Sequence, residues 1–286
     1  MRSETFSTPG AVRLSLEIPS GEIELATAET DETHVALEAL SNDETVHDLV
    51  DNARIDLIRH GDAHEVVVEA KGRRGLSISI GDSGIRFGGA HLRLRITCPH
   101  GAELDVSTKS ADLRARGEYG AVEVKTASGD VQVEQAQETR IKSASGDIRL
   151  EHVRADLEVN TASGDLHAGI VDGDLHAQLV SGDLRIGEAR ASVTANTVSG
   201  DQQFEAVQEG RVEVKAISGD VRVGIRSGSR FYIDANTVSG DTSSEFELGD
   251  APAEEPDPDA PLVEVFAKTV SGDVRIERAS VVPPRV

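Results

Sequence analysis

Residues 159–186 read VNTASGDLHAGIVDGDLHAQLVSGDLRI, and this stretch decides the fold. Ser163-Gly164-Asp165 returns 18 residues later as Ser181-Gly182-Asp183, with Asp172-Gly173-Asp174 midway between them. After each Asp the pattern alternates apolar and polar, Leu166-His167-Ala168 and Leu184-Arg185-Ile186. That alternation is the mark of a strand with one buried face. A Gly-Asp corner followed by a short strand, repeated at a fixed interval, predicts a chain that turns on itself at every repeat.

Outward from there, the triplet recurs with its Asp at 130, 147, 165, 183, 201, 220, 241 and 273, at spacings of 17, 18, 18, 18, 19, 21 and 32 residues. A degenerate copy, Ser110-Ala111-Asp112, precedes the first. The corner residues are therefore Gly129, Asp130, Gly146, Asp147, Gly164, Asp165, Gly182, Asp183, Gly200, Asp201, Gly219, Asp220, Gly240, Asp241, Gly272 and Asp273. Apolar columns stand one and three positions after the Asp (first and third residues of the following strand), and six and eight positions before it. Gln202 and Thr242 break the first of these columns. Only the last spacing is far out of step; it holds GDAPAEEPDPDAP, an acidic, proline-rich surface loop at 249–261.

These features predict an all-β solenoid with coils of about 18 residues, neighbouring coils pairing as parallel strands and the Val/Ile/Leu columns facing inward. Nine coils spaced roughly 4.8 Å apart make a rod about 40 Å long. Aspartates stacked at that spacing repel by ~0.9 kcal/mol per neighbouring pair even at the dielectric of water. Backbone N–H groups at the corner, or Lys125, Lys142, Lys215 and Lys268 nearby, are the candidates to offset this. Residues 1–100 lack the regular triplet but read as strands (VRLSLEI, THVALEAL, HEVVVEA, LSISI, HLRLRIT), with Ser20-Gly21-Glu22 resembling a corner and one short helix near 42–53 after a capping sequence. We read 1–100 as a strand-rich N-terminal cap continuous with the solenoid of 101–286. Such a cap is expected because an open parallel edge recruits other chains.

The phrases TASGDVQV, TASGDLHA, VSGDLRI, ISGDVRV and VSGDVRI, with TPGAVRLSLEIPSGEIEL near the start, resemble the bacterial DUF4097 putative-adhesin family over nearly the whole chain. The resemblance implies a single-stranded parallel β-helix, adhesion, and an envelope-associated protein partner. It carries over no catalytic residue.

Composition narrows the function classes. A net charge of −22 argues against nucleic acid and anionic membranes as partners. Aromatics at 3 %, with no Trp, leave few platforms for bases or sugars. One cysteine, Cys98, excludes an intramolecular disulfide framework, and the sequence shows no apolar span or secretion signal, so a cytoplasmic protein without membrane insertion is expected. Repeated Gly-Asp turns bring calcium to mind, with Asp165, Asp174 and Asp183 as candidate ligands. The GGxGxD loop of calcium-binding β-rolls is missing, however, and corner residues are the preferred reading. His60 and His64 are four apart but flank Gly61-Asp62, a turn; His152, His167 and His176 read as solvated; Cys98 reads as core. Glycines at 81, 84, 88 and 89 read as turns without the strand–loop–helix setting of a phosphate loop. No catalytic set and no cofactor site emerge, so no enzyme is expected. The preferred function is a non-enzymatic scaffold or binding protein whose outward column Arg149, Arg185, Arg222 and Arg275 faces a partner or neutralises the Asp column. The alternatives are a bactofilin-like scaffold that assembles through its ends, as a homo-oligomer, and a calcium-binding repeat module.

Overall fold

β2 (Val12–Ala28), which follows β1 (Arg2–Ser7), bends at Ser20-Gly21 and so presents two apolar runs, Val12-Leu14-Leu16-Ile18 and Ile23-Leu25, to one interior. The computed structural model describes residues 1–41, 43–70, 91–246 and 260–279. The expected turns at 81–84 and 88–89, the LSISI strand, and most of the acidic loop lie outside these residues. Two compact units divide the chain, Met1–Glu134 and Gln135–Val286.

In the first unit the remaining elements are β3 (Glu32–Ala39), α1 (Glu44–Asp51), β4 (Arg54–His60), β5 (Ala63–Glu69), β6 (Leu92–Pro99) and β7 (Ala102–Ser128). The first half of β2 lies parallel to β5 and its second half parallel to β6, while β7 runs parallel along its other edge, Leu14 beside Leu104 and Ile23 beside Leu113. Chain order and spatial order therefore differ, because β2 sits between two segments that come later. Antiparallel strands finish this end: β4 on β5, β3 on β6 and β1 on β3. α1 packs on β3 and buries Val46 and Val50. His60 and His64 fall on the two arms of a hairpin whose Gly61 takes φ +65°, so no helical pair forms. Cys98 is fully buried, and burial pushes its thiol up to about 12, which keeps it protonated and unreactive.

β8 (Val131–Ser145) spans the boundary between the units. The second unit continues with β9 (Ile148–Val153), β10 (Leu157–Ser163), β11 (Leu166–Val171), β12 (Leu175–Ser181), β13 (Leu184–Ala189), β14 (Val193–Ser199) and β15 (Gln202–Val207). Then follow β16 (Gly210–Ser218), β17 (Val221–Ile225), β18 (Arg230–Ser239), β19 (Thr242–Ser244), β20 (Leu262–Ser271) and β21 (Val274–Arg278). Each coil contributes two strands, one before and one after the Ser-Gly-Asp corner. Parallel pairing builds one ladder β8–β10–β12–β14–β16–β20–β18 and a second β9–β11–β13–β15–β17–β21–β19. The fold is all-β, a single-stranded parallel β-helix. Inward columns such as Leu157–Leu175–Val193–Val212–Val265 are buried to zero exposure, and each such side chain contributes about 1.5–3 kcal/mol on burial.

One expectation is corrected. The coils do not stack in simple chain order: β16 pairs with β20, and β18 lies beyond β20. The physical reason is visible in the side chains. Coil 262–278 fills every inner column with Val263, Val265, Ala267, Val274 and Ile276, all buried, whereas coil 230–244 offers Thr242 and Ser244 where its neighbours place Val274 and Ile276. The more apolar coil takes the covered position, and the polar one takes the end.

Candidate functional site

Three residues of the corner each have their own task. Thr161, buried, donates its hydroxyl to the Ser163 carbonyl at 3.0 Å and so ties the strand to its turn. The eight Ser-Gly-Asp glycines all adopt positive φ, between 108° and 145°. At Gly200 the requirement is double: φ is +135°, and a Cβ there would come within 2.0 Å of the Gly182 carbonyl oxygen one coil away. The Asp then closes the joint between coils. Asp147 Oδ1 accepts the N–H of Asp165 at 3.1 Å, Asp165 that of Asp183 at 2.9 Å, Asp183 that of Asp201 at 2.9 Å, and Asp201 that of Asp220 at 2.8 Å. The column continues through Asp220 to Asp273 at 2.8 Å and Asp273 to Asp241 at 2.9 Å. In the first unit Asp112 accepts from Asp130 N–H at 3.0 Å.

A charge-assisted bond of this kind contributes ~1.5–3 kcal/mol, more than the ~0.9 kcal/mol of repulsion between neighbouring carboxylates. Backbone amides thus offset the repulsion. Lys125 and Lys215 pair instead with Glu123 at 2.7 Å and Glu213 at 2.6 Å. Of the calcium candidates, Asp165 and Asp183 share this column, but Asp174 belongs to a second one, where Asp156 accepts its N–H at 3.0 Å and Asp174 accepts that of Ser192 at 3.2 Å. The three are not brought together. Among the described residues no group of three metal-ligating side chains converges.

The outward arginine column is interrupted. Its order through the ladder is Arg149, His167, Arg185, Gln203, Arg222, Arg275, Ser243, so only Arg222 and Arg275 are neighbours. Arg149 lies 3.2 Å from Asp147 and Arg275 3.7 Å from Asp273, exposed pairs that contribute well under about 1 kcal/mol each. The reading of His152 as solvated is corrected: it is half-buried, with Nε2 2.8 Å from Asp172, which Arg190 also contacts at 2.8 Å. Gln202, the polar break in an inner column, is buried at 1 % exposure; its Nε2 donates to Thr197 Oγ1 and the Lys215 carbonyl, both at 2.9 Å, while its buried Oε1 has no hydrogen-bond partner among the described residues.

The outer side of the other ladder carries a different kind of row. Val180, Val198, Ile217, Val270 and Val238 follow one another across β12, β14, β16, β20 and β18. Their exposures are 52, 43, 55, 50 and 81 %. Single exposed aliphatics are ordinary, but a contiguous row of them marks an interaction surface. Two residues earlier on the same face runs Gln178–Asn196–Lys215–Lys268–Asn236, a column without a carboxylate. On the other flank lie the Ser column and then the Asp column of the corner.

A family model for Toastrack DUF4097 matches residues 11–280. The chain belongs to the Toastrack DUF4097 family. Solved structures similar to this Toastrack chain include a putative adhesin from Bacteroides fragilis NCTC 9343, at 13 % identity and TM-score 0.42, with 96 % of each chain covered. Others are a putative adhesin from Parabacteroides distasonis ATCC 8503 (10 %, TM-score 0.31, 96 % of each chain) and a putative cell adhesion protein from Clostridium sporogenes ATCC 15579 (10 %, TM-score 0.26, 97 % of this chain and 99 % of that one). No curated protein matches the Toastrack chain in sequence. None of its described helices is long and apolar enough to cross a membrane.

Sequence reasoning on this Toastrack repeat missed the aliphatic row, although its signal was present. The residue four positions before the Asp (Leu179, Thr197, Ala216, Thr269 or Thr237) is buried or half-buried, so strand alternation turns the next residue outward, and that residue is Val or Ile in five successive rungs.

Proposed function

We propose that the chain is a non-enzymatic binding scaffold, a β-solenoid that holds rows of like side chains at a fixed repeat and presents one face to a protein partner. The observation that carries this reading is the exposed row Val180–Val198–Ile217–Val270–Val238, which stability does not require and which costs solubility. The same reading keeps the chain in the cytoplasm, since a protein with one buried thiol loses nothing in a reducing compartment. The test is a photo-reactive amino acid placed at Ile217 in living cells, with His167 on the other ladder as the control position. A discrete cross-linked protein at Ile217 and none at His167 is the expected result. Equal or absent labelling at the two positions would contradict it.

A second reading, assembly through the solenoid end, has one observation in its favour. β18 pairs along one edge with β20 and has no partner on its other edge among the described residues, and Phe231 and Tyr232 there are exposed.

A further inference from the structure

Resting on that reading, we infer that the occupant of the aliphatic row is a second copy of this chain, related by a two-fold axis running along the coil stack. Three features of the face lead there.

The first is commensurability. The row repeats every ~4.8 Å over about 19 Å, and a flat periodic surface seats all its rungs at once only against another surface of the same period. A parallel β-ladder is such a surface, and this chain carries one. Identical aliphatic ladders pack against each other as a dry, interdigitated seam.

The second is the placement of charge on either side of the seam. One flank is the column Gln178, Asn196, Lys215, Lys268 and Asn236, all of which carry N–H donors. The other flank is the column Asp183, Asp201, Asp220, Asp273 and Asp241, whose Oδ1 atoms are taken up by backbone N–H groups except at the last rung. A two-fold axis along the stack lays each rung against its own counterpart and exchanges the flanks. The amide and ammonium column of one copy then faces the carboxylate column of the other. A two-fold axis across the stack would place carboxylates against carboxylates, which costs binding. Lys215 is already 2.6 Å from Glu213, whereas Lys268, its neighbour in the column, has no ion pair among the described residues and is the stronger anchor.

The third is size. Five rungs of about 4.8 Å and a width of about five residues at 3.3 Å give roughly 400 Å² per copy, about half of a standard interface. The dimer is therefore a weak one, populated as concentration rises and closed at two copies, because an isologous contact uses up the face on both sides.

The experiment is sedimentation velocity on the full chain, from low-micromolar to near-millimolar concentration, at low and at high salt. The mass is expected to climb from 30.3 kDa toward twice that value and stop there. The double variant Val198→Lys, Ile217→Lys changes exposed positions only, so it should keep the wild-type circular dichroism and melting temperature yet stay at 30.3 kDa throughout. Lys215→Glu with Lys268→Glu should weaken the dimer at least about tenfold, because it sets carboxylates against the Asp column. A wild-type mass of 30.3 kDa at every concentration overturns the inference. So does a dimer that survives the double lysine variant, or a mass that grows past two copies. If the chain stays monomeric while Ile217 cross-links to a different protein, the second copy is excluded and the binding scaffold stands. If Ile217 cross-links to nothing as well, both readings fall together.

Discussion

Ile186→Asp is expected to abolish cooperative folding of the second unit. Ile186 has no exposure, and its ladder neighbours are Ala168 and Phe204, both equally buried. A carboxylate there has neither water nor an ionic partner. Leaving a buried charge uncompensated costs on the order of 3–5 kcal/mol, and loss of the isoleucine packing adds to that, against a total stability of about 5–15 kcal/mol. Thermal melting followed by circular dichroism reads the effect. Val180→Asp is the matched control: it places the same side chain on an exposed rung and should change stability by no more than about 0.5 kcal/mol. Equal melting of Ile186→Asp and wild type would mean that the inner columns are misassigned.

The second large effect is expected at Gly200. Alanine there meets two independent obstacles, a backbone angle that L-residues rarely adopt and a carbonyl oxygen 2.0 Å from the new methyl group. The angle alone costs about 1–3 kcal/mol, and relieving the contact requires the two coils to part where Asp183 accepts the Asp201 N–H. A total near 3 kcal/mol or more corresponds to a fall in melting temperature of roughly 6–12 °C for a chain of this size. Gly228→Ala supplies the contrast, since its φ of +91° is also positive but no atom lies within 4 Å of the added carbon. A larger loss at Gly228 than at Gly200 would show that coil-to-coil approach is not what the corner glycines serve.

These two sites also show what was legible in the sequence. Ile186 and Gly200 fall in columns that repeat coil after coil, and repetition turns a single weak signal into a strong one: an apolar residue in seven of eight coils in register is a wall of the core. The Asp column was legible as a problem, and its solution was one of two candidates, because the repulsion can be calculated from spacing while the donor can only be seen in three dimensions. Coil order was not legible. Residues 230–244 and 262–278 carry the same triplet, and their different places in the stack follow from Thr242 and Ser244 against Val274 and Ile276, a comparison of burial capacity that spacing does not make. The first unit hides its order in the same way, since β2 precedes in sequence the strands that enclose it on both sides. The aliphatic row escaped notice for another reason. Apolar residues in a strand repeat are assumed to point inward, and here the residue just before each of them, Leu179, Thr197, Ala216, Thr269 or Thr237, occupies that direction.

The outer face exists as described only if coil 262–278 lies between coils 210–225 and 230–244. The direct test is a pair of double-cysteine variants on the donor column, compared at low protein concentration under mild oxidation. Lys215 and Lys268 are register partners, so Lys215→Cys with Lys268→Cys brings two thiols within disulfide reach. Lys215 and Asn236 are two rungs apart, about 9.6 Å, which is too far to bridge. Cys98, buried and held protonated, stays out of the exchange. The expected result is an intramolecular disulfide in the first variant and none in the second. Closure of Lys215→Cys with Asn236→Cys, and not of the other pair, would mean that the coils wind in chain order and would contradict the account.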